Sequence, residues 1–404
     1  MLVIAAPGQG AQAPGFLAPW LDLPGVADRL AAWSDLAGCD LIACGTTAGA
    51  EEITDTAIAQ PLLVAAAIAI AASLGGGAEP SAGLDHIRRQ ADIAAGHSVG
   101  ELAAGAIAGV LDPEDAMRLV GVRGRAMAKA AAAEATGMTA ILGGDQDEVL
   151  AALGAHGLTP ANVNGAGQIV AAGTMAQLEE LTARPPAGAR LRSLAVAGAF
   201  HTTHMAPAVD ALREAAASVT VRDPGMVLLS NADGAPVSSG RDWLERIVTQ
   251  VSAPVRWDEC MHTMSRLGAS ALIELPPGGT LAGLARRALP QLARVALKTP
   301  GDLDAARALL AEHSVPEHHE NSHTPDWRLL VAPAAGTFRA DGTGPDAAPG
   351  SHVGAGAPLG HIEARSGRKP VTPAFAATVL EWLVEDGDPV AAGQPLVRLQ
   401  PETA

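Results

Sequence analysis

Tyrosine is absent from the 404 residues and phenylalanine occurs four times, beside six tryptophans. A core of aromatic rings is thereby excluded, and the 48% of hydrophobic residues must fill the interior with Ala, Leu, Val and Ile. Cysteine is nearly missing too. Cys39, Cys44 and Cys260 form no C-x-x-C pair and have no histidine at metal-ligand spacing, so three free thiols in a reducing cytoplasm are expected rather than a disulfide scaffold or a metal site. Basic residues are outnumbered, 27 Lys and Arg against 43 Asp and Glu, and a net charge of −16 excludes unassisted nucleic-acid binding. No basic residue precedes Arg29, so the opening residues lack the charged flank of a signal peptide. A long apolar run is also wanting: Gln60-Pro61 and Gly75-Gly76-Gly77 trim the charge-free stretch to Leu62–Leu74. That run is shorter than the roughly 20 residues of a membrane span and predicts a buried helix, with no membrane partner.

What remains is a chain long enough for two to three domains. Leu2 to Ala6 reads as a short buried strand entering the Gly-rich turn Gly8-Gln9-Gly10, and Asp92 to Ala95 as a second strand ending in Gly96-His97-Ser98-Val99-Gly100 before a small-residue helix. Strand, sharp turn and helix are the elements of a parallel α/β unit. Asp112-Pro113-Glu114-Asp115 predicts a capped helix running through Arg123 and Met127. Between Thr136 and Ala199 the pattern becomes βαββαβ, the order of a ferredoxin-like insert, after which Phe200 to Ala217 is expected to be helical and the parallel unit to resume. A polar segment from Ala311 to Asp326, with His313, His318, His319 and His323, reads as a linker rather than a metal cluster. Beyond it, Gly350 to Leu359 is echoed by Gly387 to Leu396, and two copies of a small all-β half predict a pseudo-twofold sandwich.

Gly96-His97-Ser98-Val99-Gly100 is a G-x-S-x-G between strand and helix, a turn that presents a serine hydroxyl as a nucleophile. Taken alone it equally describes a strand-to-helix turn with a capping serine. Gly8-x-Gly10 does not complete a dinucleotide fingerprint, because the third glycine is missing.

Six further motifs accompany the serine in order: Pro7-Gly8-Gln9-Gly10-Ala11-Gln12, Ala59-Gln60-Pro61-Leu62-Leu63, Arg123-Gly124-Arg125-Ala126-Met127, Asn162-Val163-Asn164-Gly165, Gly198-Ala199-Phe200-His201 and Pro254-Val255-Arg256-Trp257. With them, residues 1–312 resemble the malonyl-CoA:acyl carrier protein transacylases. The resemblance implies an α/β-hydrolase-like acyltransferase domain (1–131 and 200–312) carrying a ferredoxin-like subdomain (132–199). It implies Ser98 as nucleophile and His201 as its base, backbone N–H groups of Gln9 and Val99 as the oxyanion hole, and a main-chain carbonyl near Gln250 orienting His201. Arg123 would hold the free carboxylate of malonyl-CoA, with Gln60, Met127 and Asn164 also at the substrate. Phe200 would favour malonyl over methylmalonyl, a discrimination worth about 1–3 kcal/mol per methyl. His97 and His204 are weaker candidates for the base. No bound cofactor is expected. The phosphopantetheine belongs to the partner, an acyl carrier protein, for which Arg190, Arg192, Arg286 and Arg287 are the candidate basic contacts.

The second copy, Gly387-Asp388-x-Val390-x-x-Gly393-Gln394-x-Leu396, resembles the biotinyl/lipoyl carrier domains over residues 327–401. It implies a barrel-sandwich domain at 327–404 after a linker at 313–326. Ser366 falls where those domains carry the modified lysine, Lys369 is three positions away, and docking of another protein replaces carriage as the expected role. Three readings of the whole chain stand: a malonyl transacylase of fatty acid synthesis, an acyltransferase serving a polyketide carrier, and a carrier-binding scaffold without turnover. Hydrolysis is a fourth, disfavoured by Arg123.

Overall fold

In the computed structural model, residues 1–76, 80–196, 198–313, 328–340, 350–365 and 367–401 are described. Leu2–Ala6 is buried on both faces. Its alternating side chains feed two cores, with Leu2, Ile4 and Ala6 in one and Val3 and Ala5 in the other, as a central parallel strand requires. It pairs in parallel with Ala271–Glu274 on one side and Ile93–Gly96 on the other. Ala293–Ala296 and Val227–Leu229 extend the sheet in parallel, and Pro236–Val237 closes it as an antiparallel edge. The carboxyl ends of Leu2–Ala6 and Ile93–Gly96 lead into the turns that carry Gln9 and Ser98, the usual place for a site in an open parallel sheet.

Thr56–Leu74 is the core helix anticipated from the sequence, but six residues longer at its start, with Pro61 inside it. Proline there cannot donate to the carbonyl of Ala57 one turn earlier, and the helix start is capped separately by Asp55, which accepts from Ala57 N at 2.8 Å. Among the described residues this helix alone is long and apolar enough to cross a membrane, and 83% of its apolar window is buried in the fold. The helix Pro113–Ala131 begins where expected, yet Asp112 makes no side-chain cap. Its carboxylate instead receives both terminal nitrogens of Arg222.

Thr136–Gly143, Thr159–Gly165, Gln168–Thr174 and Ala189–Ser193, with helices Gln146–Ala155 and Met175–Ala183, form the second sheet. Its antiparallel strands stand in the order fourth, first, third, second, the ferredoxin-like arrangement. A fifth strand, Val255–Arg256, joins in parallel beside Thr159–Gly165.

The helix expected from Phe200 starts only at Ala206, after a single 3-10 turn over Thr203–Met205. His201 lies in the left-handed region at φ 60°, which a right-handed helix cannot pass through. At the far end, His313 closes the helix Leu303–His313 instead of opening a linker. Its ring meets Leu309 O at 3.0 Å and Ser270 Oγ at 3.1 Å. His318, His319, His323 and Ser366 lie outside the described residues, and among those described no cluster of His, Cys, Asp or Glu could hold a metal.

The chain divides into two units, Met1–Pro316 and Glu317–Ala404. The second holds two four-stranded antiparallel sheets around cores that include Phe338, Ile362 and Leu396 in one and Val379, Val397 and Leu399 in the other. Strands of its first half are Arg328–Val331, Gly336–Arg339, His352–Val353 and Gly360–Ala364, and of its second half Gly367–Val371, Ala377–Trp382, Pro389–Val390 and Pro395–Pro401. Exchanging the halves strand for strand turns one sheet's order into the other's, so the sequence repeat is a structural pseudo-twofold.

Candidate active site

Ser98 occupies the tip of the turn between Ile93–Gly96 and the helix Gly100–Ile107, with φ 54°. The flanking glycines serve close approach rather than conformation: a Cβ on Gly96 would collide with the backbone of Gly100, and one on Gly100 with the carbonyl of Ala6. The turn is therefore pressed against the neighbouring strand, and the strained backbone falls on the serine itself.

Ser98 Oγ lies 2.7 Å from His201 Nε2, while His201 Nδ1 lies 2.9 Å from the main-chain oxygen of Gln250. A carbonyl only accepts, so Nδ1 carries the ring proton and Nε2 receives the serine hydroxyl's. His201 is buried, and that burial, reinforced by the positive charge of Arg123, pushes its pKa down to about 3. The imidazole is neutral and ready to take a proton.

Arg123 is 2% exposed, and among the described residues no carboxylate hydrogen-bonds to it. Its Nη1 donates to Gln60 Oε1 at 2.6 Å and its Nη2 to Gln250 Oε1 at 3.0 Å, with Ser98 Oγ at 3.5 Å. Gln60 in turn donates to Met127 Sδ at 3.4 Å. Nη1 keeps a second N–H for a ligand carboxylate, while Nη2 spends one N–H on Gln250 and the other on the long 3.5 Å contact with Ser98 Oγ. Desolvation draws the guanidinium down to about 10, still fully charged near neutrality.

The Ser98 amide N–H is already taken, donating to Asn231 Oδ1 at 2.7 Å. The turn's own bonds run from Gly100 N to His97 O and from Glu101 N to Ser98 O, which leaves the Val99 N–H unspent. The Gln9 N–H is likewise unspent, in a loop pinned by Gln9 Nε2 to Thr56 Oγ1 at 3.2 Å and by Gln12 Nε2 to Ile53 O at 3.1 Å.

A cavity of about 70 Å³ opens on Ser98 and His201, walled by Gln9, Gln60, Met127 and Phe200, residues the sequence had nominated. Asn164 is placed differently. Its Oδ1 accepts from His97 Nε2 at 2.8 Å, anchoring the residue before the nucleophile, and it does not line this cavity. The cavity is faced by Asn162 of the same motif, whose buried Oδ1 meets no donor. His204 pairs with Glu134 at 2.9 Å, away from the serine. Two further residues, Asn231 and Glu101, escaped the sequence reading. Glu101 is buried beneath the site, where Asn231 N donates to Oε1 at 2.8 Å and Gln250 Nε2 to Oε2. Burial pushes its pKa up to about 8, opposed by the Asn231 N–H and the charge of Arg123, while both of its oxygens face N–H donors, the arrangement that favours the charged form. A larger cleft of about 680 Å³, between helices Ala206–Ala216 and Gly240–Gln250, is lined by no serine, cysteine or histidine.

Residues 7–333 match the family described as Acyl transferase domain. A malonyl CoA-acyl carrier protein transacylase of Mycobacterium bovis is 52% identical over 304 residues, covering 75% of this chain and 98% of the relative. The crystal structure of MCAT from Mycobacterium tuberculosis superposes with a TM-score of 0.72 at 51% identity, covering 76% of this chain and 99% of that one. A malonyl-transacylase solved in complex with a type II PKS acyl-carrier protein superposes with a TM-score of 0.69 at 30% identity, covering 76% and 99%. The chain belongs to the acyl transferase domain family, among the malonyl CoA-acyl carrier protein transacylases.

Proposed function

We propose that this protein transfers a malonyl group from coenzyme A to the phosphopantetheine thiol of an acyl carrier protein through an acyl-enzyme on Ser98, in fatty acid synthesis. The observation that carries the reading is the line from Ser98 Oγ through His201 to Gln250 O, lying beside a buried arginine that, among the described residues, has no carboxylate hydrogen-bonded to it. His201 Nε2 takes the hydroxyl proton as Oγ adds to the thioester carbonyl. The oxyanion settles between the Gln9 and Val99 N–H groups, and on collapse the C–S bond breaks and His201 returns the proton to the coenzyme A thiolate. The carrier's thiol then repeats the sequence, giving its proton to His201 and attacking the Ser98 ester, and Oγ leaves with that proton. Arg123 selects donors that carry a free carboxylate, and Phe200 crowds a branch at the α-carbon.

Arg190 and Arg192, both exposed, stand on the strand that leads directly to Leu194 and Val196 in the cavity wall. They are the proposed contacts for an acidic carrier, with the exposed Arg286 and Arg287 as a second pair. The pseudo-twofold of residues 327–404 supports a biotinyl/lipoyl-like module, which without a lysine at 366 serves docking rather than group carriage. Three free thiols support a reducing, cytoplasmic setting.

Intact-mass measurement tests the reading. Malonyl-CoA should add one malonyl group to the wild-type chain and none to Ser98→Ala, and a holo carrier should discharge it. No adduct from any acyl-CoA would instead make the chain a scaffold, and discharge by water as fast as by carrier would make it a hydrolase.

A further inference from the structure

The Glu101 side chain neither bonds to Ser98 nor lines the cavity, yet both its oxygens point at N–H groups that structure the site. One belongs to the backbone of Asn231, which cannot turn around. The other is Gln250 Nε2. Gln250 is where three parts of the site meet: its main-chain oxygen holds His201, its Oε1 holds Arg123, and its Nε2 also lies 3.2 Å from Asn231 Oδ1. A primary amide is nearly symmetric in shape, so packing alone does not decide which end faces which way. Partners decide it. With Nε2 inward, Oε1 faces the guanidinium; turned over, the amide would set its NH2 against Arg123 and its oxygen against Asn231 Oδ1.

We propose that Glu101 is a positioning residue for substrate selection: its carboxylate accepts without donating, fixes the Gln250 amide with oxygen toward Arg123, and so holds the guanidinium for the free carboxylate of the acyl donor. The inference rests on the reading of Arg123 as the clamp for that carboxylate. Glu101→Gln preserves size and removes this property. Its new amide must accept from the fixed Asn231 N–H, which leaves an NH2 facing Gln250 and drives the Gln250 amide over. Glu101→Asp is shorter but still accepts only.

The experiment compares second-order rates of Ser98 acylation by malonyl-CoA and by acetyl-CoA, read by intact mass on full-length protein whose folding is checked by thermal melting. In E101Q the malonyl rate should fall roughly tenfold or more, the cost of one misplaced buried donor, and further than the acetyl rate. The malonyl-to-acetyl ratio therefore collapses. E101D should keep more of the ratio than E101Q, and it carries the test if E101Q does not fold, by keeping most of the wild-type ratio. An unchanged ratio in folded E101Q, whether both rates fall together or neither moves, overturns the proposal. So does E101D losing more of the ratio than E101Q, or losing most of it if it stands alone. If wild type itself takes no malonyl group, the transacylase reading has failed instead.

Discussion

Ser98 and His201 share a backbone anomaly: both are non-glycine residues in the left-handed region, at φ 54° and φ 60°, and their side chains meet at 2.7 Å. Such a conformation costs an L-residue about 1–2 kcal/mol, so the bond between them is formed by two segments that the surrounding fold holds in strained geometry. Ser98→Gly should accordingly be more stable than Ser98→Ala by about 1 kcal/mol, read from chemical denaturation, while both lose acylation entirely.

Arg123 gives the sharpest activity test. Arg123→Lys keeps the charge but cannot reach Gln60 and Gln250 together while presenting a fork. Acylation by malonyl-CoA should drop by about a hundredfold, as for a lost buried charge-assisted pair, and that by acetyl-CoA should not. Stopped-time mass spectrometry with each donor separates the two.

The buried imidazole predicts an acid-side signature. His201 stays neutral down to about 3, whereas an unfolded chain's histidine takes a proton near pH 6.5. Between those values the unfolded state binds more protons, so this group makes stability rise with pH across the window. Denaturation at pH 5 and 7 should show a smaller difference in His201→Gln than in wild type. Ser98 acylation should show no titration of its base near 6.5.

Phe200, 5% exposed, walls the cavity beside the serine. Phe200→Val should raise the methylmalonyl-to-malonyl ratio of acylation rates by about tenfold, within the range that one methyl is worth. Competition between the two donors, resolved by adduct mass, measures it directly.

The relative from Mycobacterium bovis is covered over 98% of its length by 75% of this chain. Deleting residues 314–404 should therefore leave a monodisperse protein that still takes up malonyl from malonyl-CoA at the full-length rate, measured by size-exclusion chromatography and intact mass.

The serine, histidine and arginine were legible because each sits in a short motif whose chemistry depends on local sequence: a turn, a residue after an aromatic, a helix position. Asn231 was not, since it follows an ordinary strand and gains its role from Ser98 N, 133 residues away in the chain. Glu101 stands directly after the serine motif but carries no role legible there, for its partners Gln250 and Asn231 arrive from elsewhere in the chain. In the motif at 162–165 it is Asn162 rather than Asn164 that lines the cavity, on a strand whose pairing with Gln168–Thr174 is irregular on either side of Asn162 and Val163. The helix expected at 200 failed for a related reason: composition favours it, and the catalytic backbone geometry at His201 overrides it.

The two sheets of the C-terminal unit carry a last consequence. In each, the middle two strands come from one half of the repeat and the outer two from the other, so the halves are interlocked rather than set side by side. Cut at the turn between Ala364 and Gly367, either half retains just one of its strand pairings, Gly336–Arg339 with Gly360–Ala364 or Ala377–Trp382 with Pro395–Pro401. A fragment of either half therefore loses the four pairings that cross between the halves, so neither half is expected to fold by itself.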